Sequence, residues 1–556
     1  MPERSCFRNP RLAALPSLAL ALPVALLSSA DGEIGLDALR AAVPDLPAGE
    51  NLALLVGDFT SANTNHAWAV EPVGGLAGKD VRYLPHRTRP RRFSPHATGV
   101  ASTIAGSVTG ILPQLSAITS VHSEFYCSDV LNVGAGIAPG KPRWDLEVHT
   151  WNWTDETWSL ELIRRMDWRV DHDAVTVVEA LTNGRDTELP HVFVSGYNVI
   201  TVGVATGTHS SGTTVVEGAG RTKPDLVAPT RYTSGATPLV AAGAGLLLAK
   251  AKLDPALGAA ADPRVVKALL LAGATKDPLS SWAHTVTQPL DEHYGAGQLD
   301  LAASYGILTG GRRPPDTPGP ARSGWDRGTS GAAAYLFEIP DGEAMRFSAV
   351  LTWHRQIVPD SAWTSFAAHL PALDLRLSTA TAAGLADRRV AESRSPVDNV
   401  EHIYLPALPA GRYRLEVTGE AGVAFGVAWR CSPGSGTAPI SAPAANIQDT
   451  AFSVGAAQEA VLASAGRPAE VKPFRHKALR GEIWVYRQRR AIHERPVPKG
   501  YREVPRTDPL TGGTTKANEP IEGIETTYLH ETTDLLLLSG KVAELQRHQH
   551  ITREVR

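Results

Sequence analysis

The sequence predicts an α/β domain with a mostly parallel central sheet, followed by a β-sandwich and a poorly ordered tail. Three observations predict it. From about 33 to 308, short apolar runs alternate with Ala-rich helical stretches, the pattern of a sheet covered on both faces. Residues 309–324, TGGRRPPDTPGPARSG, concentrate Pro, Gly and Arg and read as a linker. Over 325–433, strand runs are separated by turn residues with no long helix between them.

The N-terminus comes first. Arg4, Arg8 and Arg11 precede an apolar run from Leu12 to Leu27, and the small residues Ser28, Ser29 and Ala30 follow. A basic start, a short apolar core and a small-residue cut site predict a signal peptide over 1–30 and a secreted or extracytoplasmic chain. Pro16 and Pro23 interrupt the run, which is short for a bilayer span. No stable membrane insertion is expected after the leader is removed.

Within 31–308, strands are expected at Leu52–Val56, Ser116–Val121, Ala174–Val178 and Val199–Val204, with a helix at Trp158–Trp168. In the sandwich they are expected at Ala334–Ile339, Met345–Trp353, His402–Leu405 and Tyr413–Val417, with turns at Asp341-Gly342 and Pro409-Ala-Gly411. Beyond 434 the pattern fades. Residues 467–556 hold 17 Lys/Arg against 12 Asp/Glu and many prolines. A poorly ordered tail follows, with short helices expected around 453–465 and 537–547.

Composition narrows the function. Lys and Arg total 54 against 57 Asp and Glu, a net charge of -3, which gives no support to a nucleic-acid binder driven by bulk charge. The three cysteines, Cys6, Cys127 and Cys431, form neither a disulfide scaffold nor a zinc-type C-x-x-C pair.

Two segments carry chemistry. Ser234 opens an Ala/Gly/Leu helix within Thr233-Ser-Gly-Ala-Thr-Pro238, so its hydroxyl sits where backbone N–H groups are free and the helix dipole favours an oxyanion. On this segment alone an ordinary N-cap serine fits equally well. His96 also stands at a helix start, in Ser94-Pro-His-Ala-Thr-Gly-Val100, and Ala97, Ala101 and Ala105 recur every fourth residue on one stripe. A lone histidine there reads as a cap or core residue. Two small-faced helices that each open with a catalytic residue type weaken that reading.

These segments resemble the motifs of the subtilisin family of serine peptidases. His96-Ala-Thr-Gly-Val-Ala-Ser-Thr-Ile-Ala-Gly106 matches eight of eleven positions of the family's histidine motif, and Tyr232-Thr-Ser-Gly-Ala-Thr-Pro-Leu-Val-Ala-Ala242 matches seven of eleven around its serine. Lys223-Pro-Asp-Leu-Val-Ala-Pro229 and Tyr294-Gly-Ala-Gly-Gln-Leu-Asp300 are similar to further family segments. The resemblance covers about 50–308. It implies a subtilisin-like three-layer domain and a serine endopeptidase acting on polypeptides. It implies Asp58, at the end of an early strand, as the residue orienting His96, and Ser234 as nucleophile. Asn183, in Val177-Val-Glu-Ala-Leu-Thr-Asn183-Gly184, is implied as the oxyanion donor beside the Ser234 N–H, and a plain Asn-Gly turn is the other reading.

Three positions depart from the family pattern: Phe59-Thr60 follows Asp58, Tyr232 replaces a glycine before Thr233, and only Thr230-Arg-Tyr232 separates the Ala-Pro step from Thr233. No cofactor or metal is expected for the chemistry. Structural calcium often supports such enzymes, but Asp398-Asn-Val-Glu-His402 reads as a solvated turn. Trp144, Trp151, Trp153, Trp158 and Trp168 read as packing residues rather than a substrate cleft. The alternatives are a catalytically impaired binding protein on the same fold, an esterase, and a carbohydrate-binding role for the sandwich. No G-x-S-x-G elbow surrounds Ser234.

Overall fold

The computed structural model describes residues 33–433, apart from loop residues 61–65, 86–89, 155–156, 186, 218–219, 280, 316, 318–320, 332 and 343, and it describes the backbone of 470–555 apart from 477–478, 508–513 and 539–540. The expected leader over 1–30 and the expected helix at 453–465 lie outside the described residues.

Among the described residues the first named helix, α1, spans Leu36–Ala42. The central sheet contains β1 (Ala53–Asp58), β2 (Asp80–Leu84), β3 (Ala117–His122), β4 (Leu146–His149), β5 (Thr176–Ala180), β6 (Ile200–Val204) and β9 (Leu226–Ala228), in the order β2-β3-β1-β4-β5-β6-β9, with every neighbouring pair parallel. Between β6 and β9, β7 (Gly212–Thr213) and β8 (Thr222–Lys223) form a short ladder. Parallel strands need crossovers; helices α2 (Pro95–Ala105) and α3 (Ser159–Asp173) lie in two of them, and α4 (Thr233–Leu253) follows β9. Helices α5 (Pro263–Gly273) and α6 (Leu301–Thr309) complete the domain.

Side-chain alternation sorts the sheet's two faces. Leu54 and Val56 of β1 join Ala97, Ala101 and Ala105 of α2 and the buried residues of α4 in one core. Leu55 turns the other way, into a second core with Val177, Leu162, Met166, Tyr126 and Trp151. Helix α4 has the length and mean hydropathy of a membrane span, yet it is buried inside this domain. Gly245 lets it sit close to the sheet, because a Cβ there would meet the Leu112 side chain at 2.6 Å.

Strands β2, β4 and β9 escape a sequence reading. In β4, Leu-Glu-Val-His, the two polar residues break the apolar run, yet Glu147 and His149 are fully buried. Glu147 is paired there with Arg169 of α3 and accepts from the Tyr126 hydroxyl.

The sandwich follows. One sheet has the order β10-β19-β12-β17, comprising β10 (Ser323–Thr329), β12 (Met345–Trp353), β17 (Val400–Leu408) and β19 (Ala424–Pro433). The other has the order β11-β18-β15-β16, comprising β11 (Ala333–Ile339), β15 (Leu373–Ala380), β16 (Ala386–Ser393) and β18 (Gly411–Gly419). A hairpin of β13 (Gln356–Pro359) and β14 (Phe366–His369) projects between β12 and β15. The core between the sheets is aromatic: the Phe337 ring stacks on Phe347 at 4.8 Å and on Tyr413 at 5.3 Å, with Trp353 and Trp429 buried beside them. Strand β10 begins inside the expected linker, where the Arg313 N–H donates to the Trp325 carbonyl at 2.8 Å.

The sandwich is joined to the first domain by a buried ionic cluster. Arg355, 3% exposed, follows β12 and donates from Nε to Asp167 of α3 at 2.9 Å. It also pairs with Glu217 and lies 4.6 Å from the Tyr197 ring. Asn198 and Arg355 exchange two hydrogen bonds, at 2.8 and 3.0 Å. Asn399 of the sandwich donates to the Tyr197 carbonyl at 2.9 Å.

The chain divides into two units, 1–435 and 436–556. The second corrects two expectations. Instead of a poorly ordered tail, residues 470–555 form a four-stranded antiparallel sheet in chain order, with β20 (Glu470–His476), β21 (Leu479–Thr507), β22 (Thr514–Leu538) and β23 (Lys541–Val555). The helix expected at 537–547 falls within β22 and β23. Frequent charges and prolines conceal the strands, because each pairs only with its sequence neighbour through short connections, an arrangement that tolerates a polar surface.

Candidate active site

The site is built on the edge where the parallel strands end. Asp58 is the last residue of β1 and is fully buried. Its carboxylate accepts from the Phe59 N–H at 2.9 Å and His66 Nε2 at 3.1 Å through Oδ1. Oδ2 accepts from the Ser94 hydroxyl at 3.1 Å and His96 Nδ1 at 3.1 Å.

Ser94 is also the N-cap of α2, where its Oγ accepts from the Ala97 N–H at 3.0 Å and Pro95 occupies the first turn. One serine therefore fixes both the helix start and the carboxylate beneath His96. Sequence alone does not assign this role, although Ser-Pro before an Ala-rich run is its signal. The His66 ring stacks on Phe59 at 4.6 Å and lies tilted to His96 at 5.6 Å.

This arrangement sets the protonation of His96. Only a protonated Nδ1 can donate to the carboxylate, so the neutral ring presents Nε2 as an acceptor. Burial pushes the Asp58 carboxyl up, but the hydrogen bonds and charges of His66 and His96 pull harder and hold it below its ordinary value of 3.8. Burial pushes His96 down, and the Asp58 carboxylate more than offsets this, so the imidazole ends above its ordinary 6.5.

Ser234 lies in the first turn of α4, half-buried, where helix geometry supplies no intrahelical acceptor for its N–H. Pro238 lacks the N–H that would take the Ser234 carbonyl. Asn183 follows β5 and reaches the same turn. Its Oδ1 accepts from the Thr233 N–H at 2.8 Å and from the Thr233 hydroxyl at 3.2 Å. A backbone N–H needs an acceptor, so this contact fixes the amide orientation and leaves Nδ2 as the available donor. β1 and β5 lie two strands apart in the sheet, roughly 10 Å at 4.7–4.9 Å per strand.

The structure thus joins Asp58 to His96, and Asn183 to the residue preceding Ser234. It records no hydrogen bond between His96 and Ser234 among the described residues. Such bonds are often long before substrate binds and tighten in the complex.

The remaining family-like segments have structural partners. Asp225 pairs with Lys223 at 3.1 Å and Lys267 at 2.9 Å, and accepts from the Thr201 N–H at 2.7 Å. Gly295 packs against it at φ +58°, where a Cβ would meet the Asp225 carbonyl at 2.3 Å. Asp300 caps α6 through the Ala303 N–H at 2.9 Å.

Asp58, His66 and His96 offer potential metal-ligand atoms within 4.8 Å of one another, a closeness their mutual hydrogen bonds account for. Asp398-Asn-Val-Glu-His402 is not a solvated turn. Asp398 and Glu401 are buried, Glu401 accepts from the Ser393 hydroxyl and the Ser395 N–H, and burial pushes its carboxyl up to about 8. Trp144 and Trp151 are core residues, and Trp168 packs edge-on against Trp363 at 4.9 Å.

No protein-family model matches the chain, and no curated protein matches it. Among solved structures it is similar to fervidolysin from Fervidobacterium pennivorans, a keratinolytic enzyme related to subtilisin, at 13% identity over 92% of this chain and 75% of that one, with a TM-score of 0.34. It is similar to a protease from Pseudoalteromonas arctica at 17% identity, covering 48% of this chain and 92% of that one, with a TM-score of 0.29. Tripeptidyl peptidase 2 matches at 10% identity over 79% of this chain, which spans 46% of that chain's length, with a TM-score of 0.28.

Proposed function

We propose that this chain is a subtilisin-like serine endopeptidase, exported by its N-terminal leader, that hydrolyses polypeptides through Asp58, His96 and Ser234 and needs no cofactor for the chemistry. The observation that carries the proposal is the bond from His96 Nδ1 to the buried Asp58 carboxylate, which leaves Nε2 free to act as a base.

A serine hydroxyl is a weak nucleophile near neutral pH. His96 Nε2 accepts the Ser234 proton as Oγ attacks the scissile carbonyl, and Asp58 stabilises the imidazolium that forms. The tetrahedral oxyanion is held by the Ser234 N–H and Asn183 Nδ2, donors that α4 and Thr233 orient before substrate arrives. The imidazolium then protonates the departing amine, leaving an acyl-enzyme. Water attacks this ester by the same proton route and restores Ser234.

The test is hydrolysis of a denatured polypeptide, followed as a function of pH with the cut sites sequenced. Only neutral His96 is a base, and Asp58 raises its pKa. Activity is therefore low at acid pH and rises with pH through an apparent value above 6.5. A flat profile between roughly pH 5 and 9, or one that falls through this range, contradicts the assignment.

A further inference from the structure

A small pocket lies where the segment after α5 meets the sandwich strands β12, β17 and β19. It is lined by Lys276, Arg346, Arg430, Tyr404, Ser348 and Ser432. Arg346 donates to Asp277 at 2.8 Å, and Asp277 is largely exposed. Lys276 is only 8% exposed. Its ammonium donates to the Ala274 carbonyl at 3.0 Å and lies 4.8 Å from the Tyr404 ring and 5.2 Å from the Trp282 ring. Arg430 reaches the same carbonyl at 3.4 Å.

Neither the buried Lys276 nor the half-buried Arg430 has a carboxylate partner among the described residues, in contrast to several other buried cations. Lys223 and Lys267 share Asp225, Arg169 has Glu147, and Arg355 has Asp167 and Glu217. A buried cation without a counter-charge is unfavourable. Here the buried Lys276 and the half-buried Arg430 converge on a space with hydroxyl groups on its walls and room for a water-sized species.

We propose that this pocket binds a small inorganic anion of chloride size, held by Lys276 and Arg430 and joining the segment after α5 to the sandwich. Burial and the charges of Arg430 and Arg346 hold Lys276 well below its ordinary value, against the pull of Asp277. His284 and His402, which also face it, are held low by burial first and by the Lys276 charge. Bound anion favours the ammonium form, so binding takes up a proton. Affinity is highest at lower pH and declines as pH rises through the Lys276 value.

The test melts the full chain in potassium chloride exchanged for potassium gluconate at constant ionic strength, with bromide anomalous scattering as a second measurement. The wild-type midpoint rises with the logarithm of chloride concentration above the dissociation constant, and more so at lower pH. Lys276→Met and Arg430→Met lose this rise, and bromide gives a peak between the two side chains. An equal chloride response in wild type and Lys276→Met overturns the proposal, as does a rise with sulfate but not chloride. If Lys276→Met does not fold, the bromide measurement on wild type decides alone, and no peak in the pocket overturns the proposal.

Discussion

Replacing His96 by alanine lowers kcat/KM by about ten-thousand- to a million-fold, equivalent to roughly 5–8 kcal/mol of barrier. The size follows from the role. Without the imidazole nothing accepts the Ser234 proton, and only the oxyanion donors and substrate binding still act. Asp58 keeps its bonds from Phe59, His66 and Ser94, so the fold survives with a modest loss of stability. His66→Ala is the internal control. His66 also bonds Asp58 and lies against His96, but its Nε2 is spent on the carboxylate, so its loss perturbs only the orientation of Asp58. Steady-state kinetics of both variants, with circular dichroism to verify folding, separate the roles. A His66→Ala variant as inactive as His96→Ala contradicts the assignment of the base.

Arg355→Ala destabilises residues 33–433 by about 3–5 kcal/mol, because it leaves the buried Asp167 and Glu217 carboxylates without the guanidinium they face. Asp167 retains the Tyr197 and Asn198 N–H groups, and Glu217 retains Arg164. Arg389→Ala serves as comparison, since its pair with Glu392 is exposed and its removal costs within about 0.5 kcal/mol. Denaturant unfolding measures both. The two domains are expected to melt in one transition, and separate transitions in wild type contradict a shared interface. The sandwich on this view folds as one unit with the first domain rather than as a detachable appendage.

The residues of the site were more legible in sequence than its surroundings. His96 and Ser234 each open a helix of small residues, and that local pattern survives in one dimension because cap, helix and packing stripe are contiguous. Asp58 was legible as the end of an apolar run. Its fourfold hydrogen bonding was not, since Ser94 and His66 arrive from other segments. Strand β4 stayed hidden because its buried Glu147 and His149 mimic a surface pattern, and the partners that make the burial of Glu147 tolerable include Arg169, 22 positions away, and Tyr126. The domain junction was invisible for the same reason at longer range, as Asp167 and Arg355 are 188 positions apart. The C-terminal strands were obscured by charge and proline content, which polar hairpin strands accommodate.

The central claim is that Ser234 is a nucleophile activated by His96. Treatment of the intact protein with a fluorophosphonate, followed by peptide mapping of the adduct, tests it most directly. The expected result is one phosphonylated residue, Ser234, with labelling lost in Ser234→Ala and strongly slowed in His96→Ala. No adduct on the folded wild-type protein, or an adduct on another serine that persists in Ser234→Ala, contradicts it.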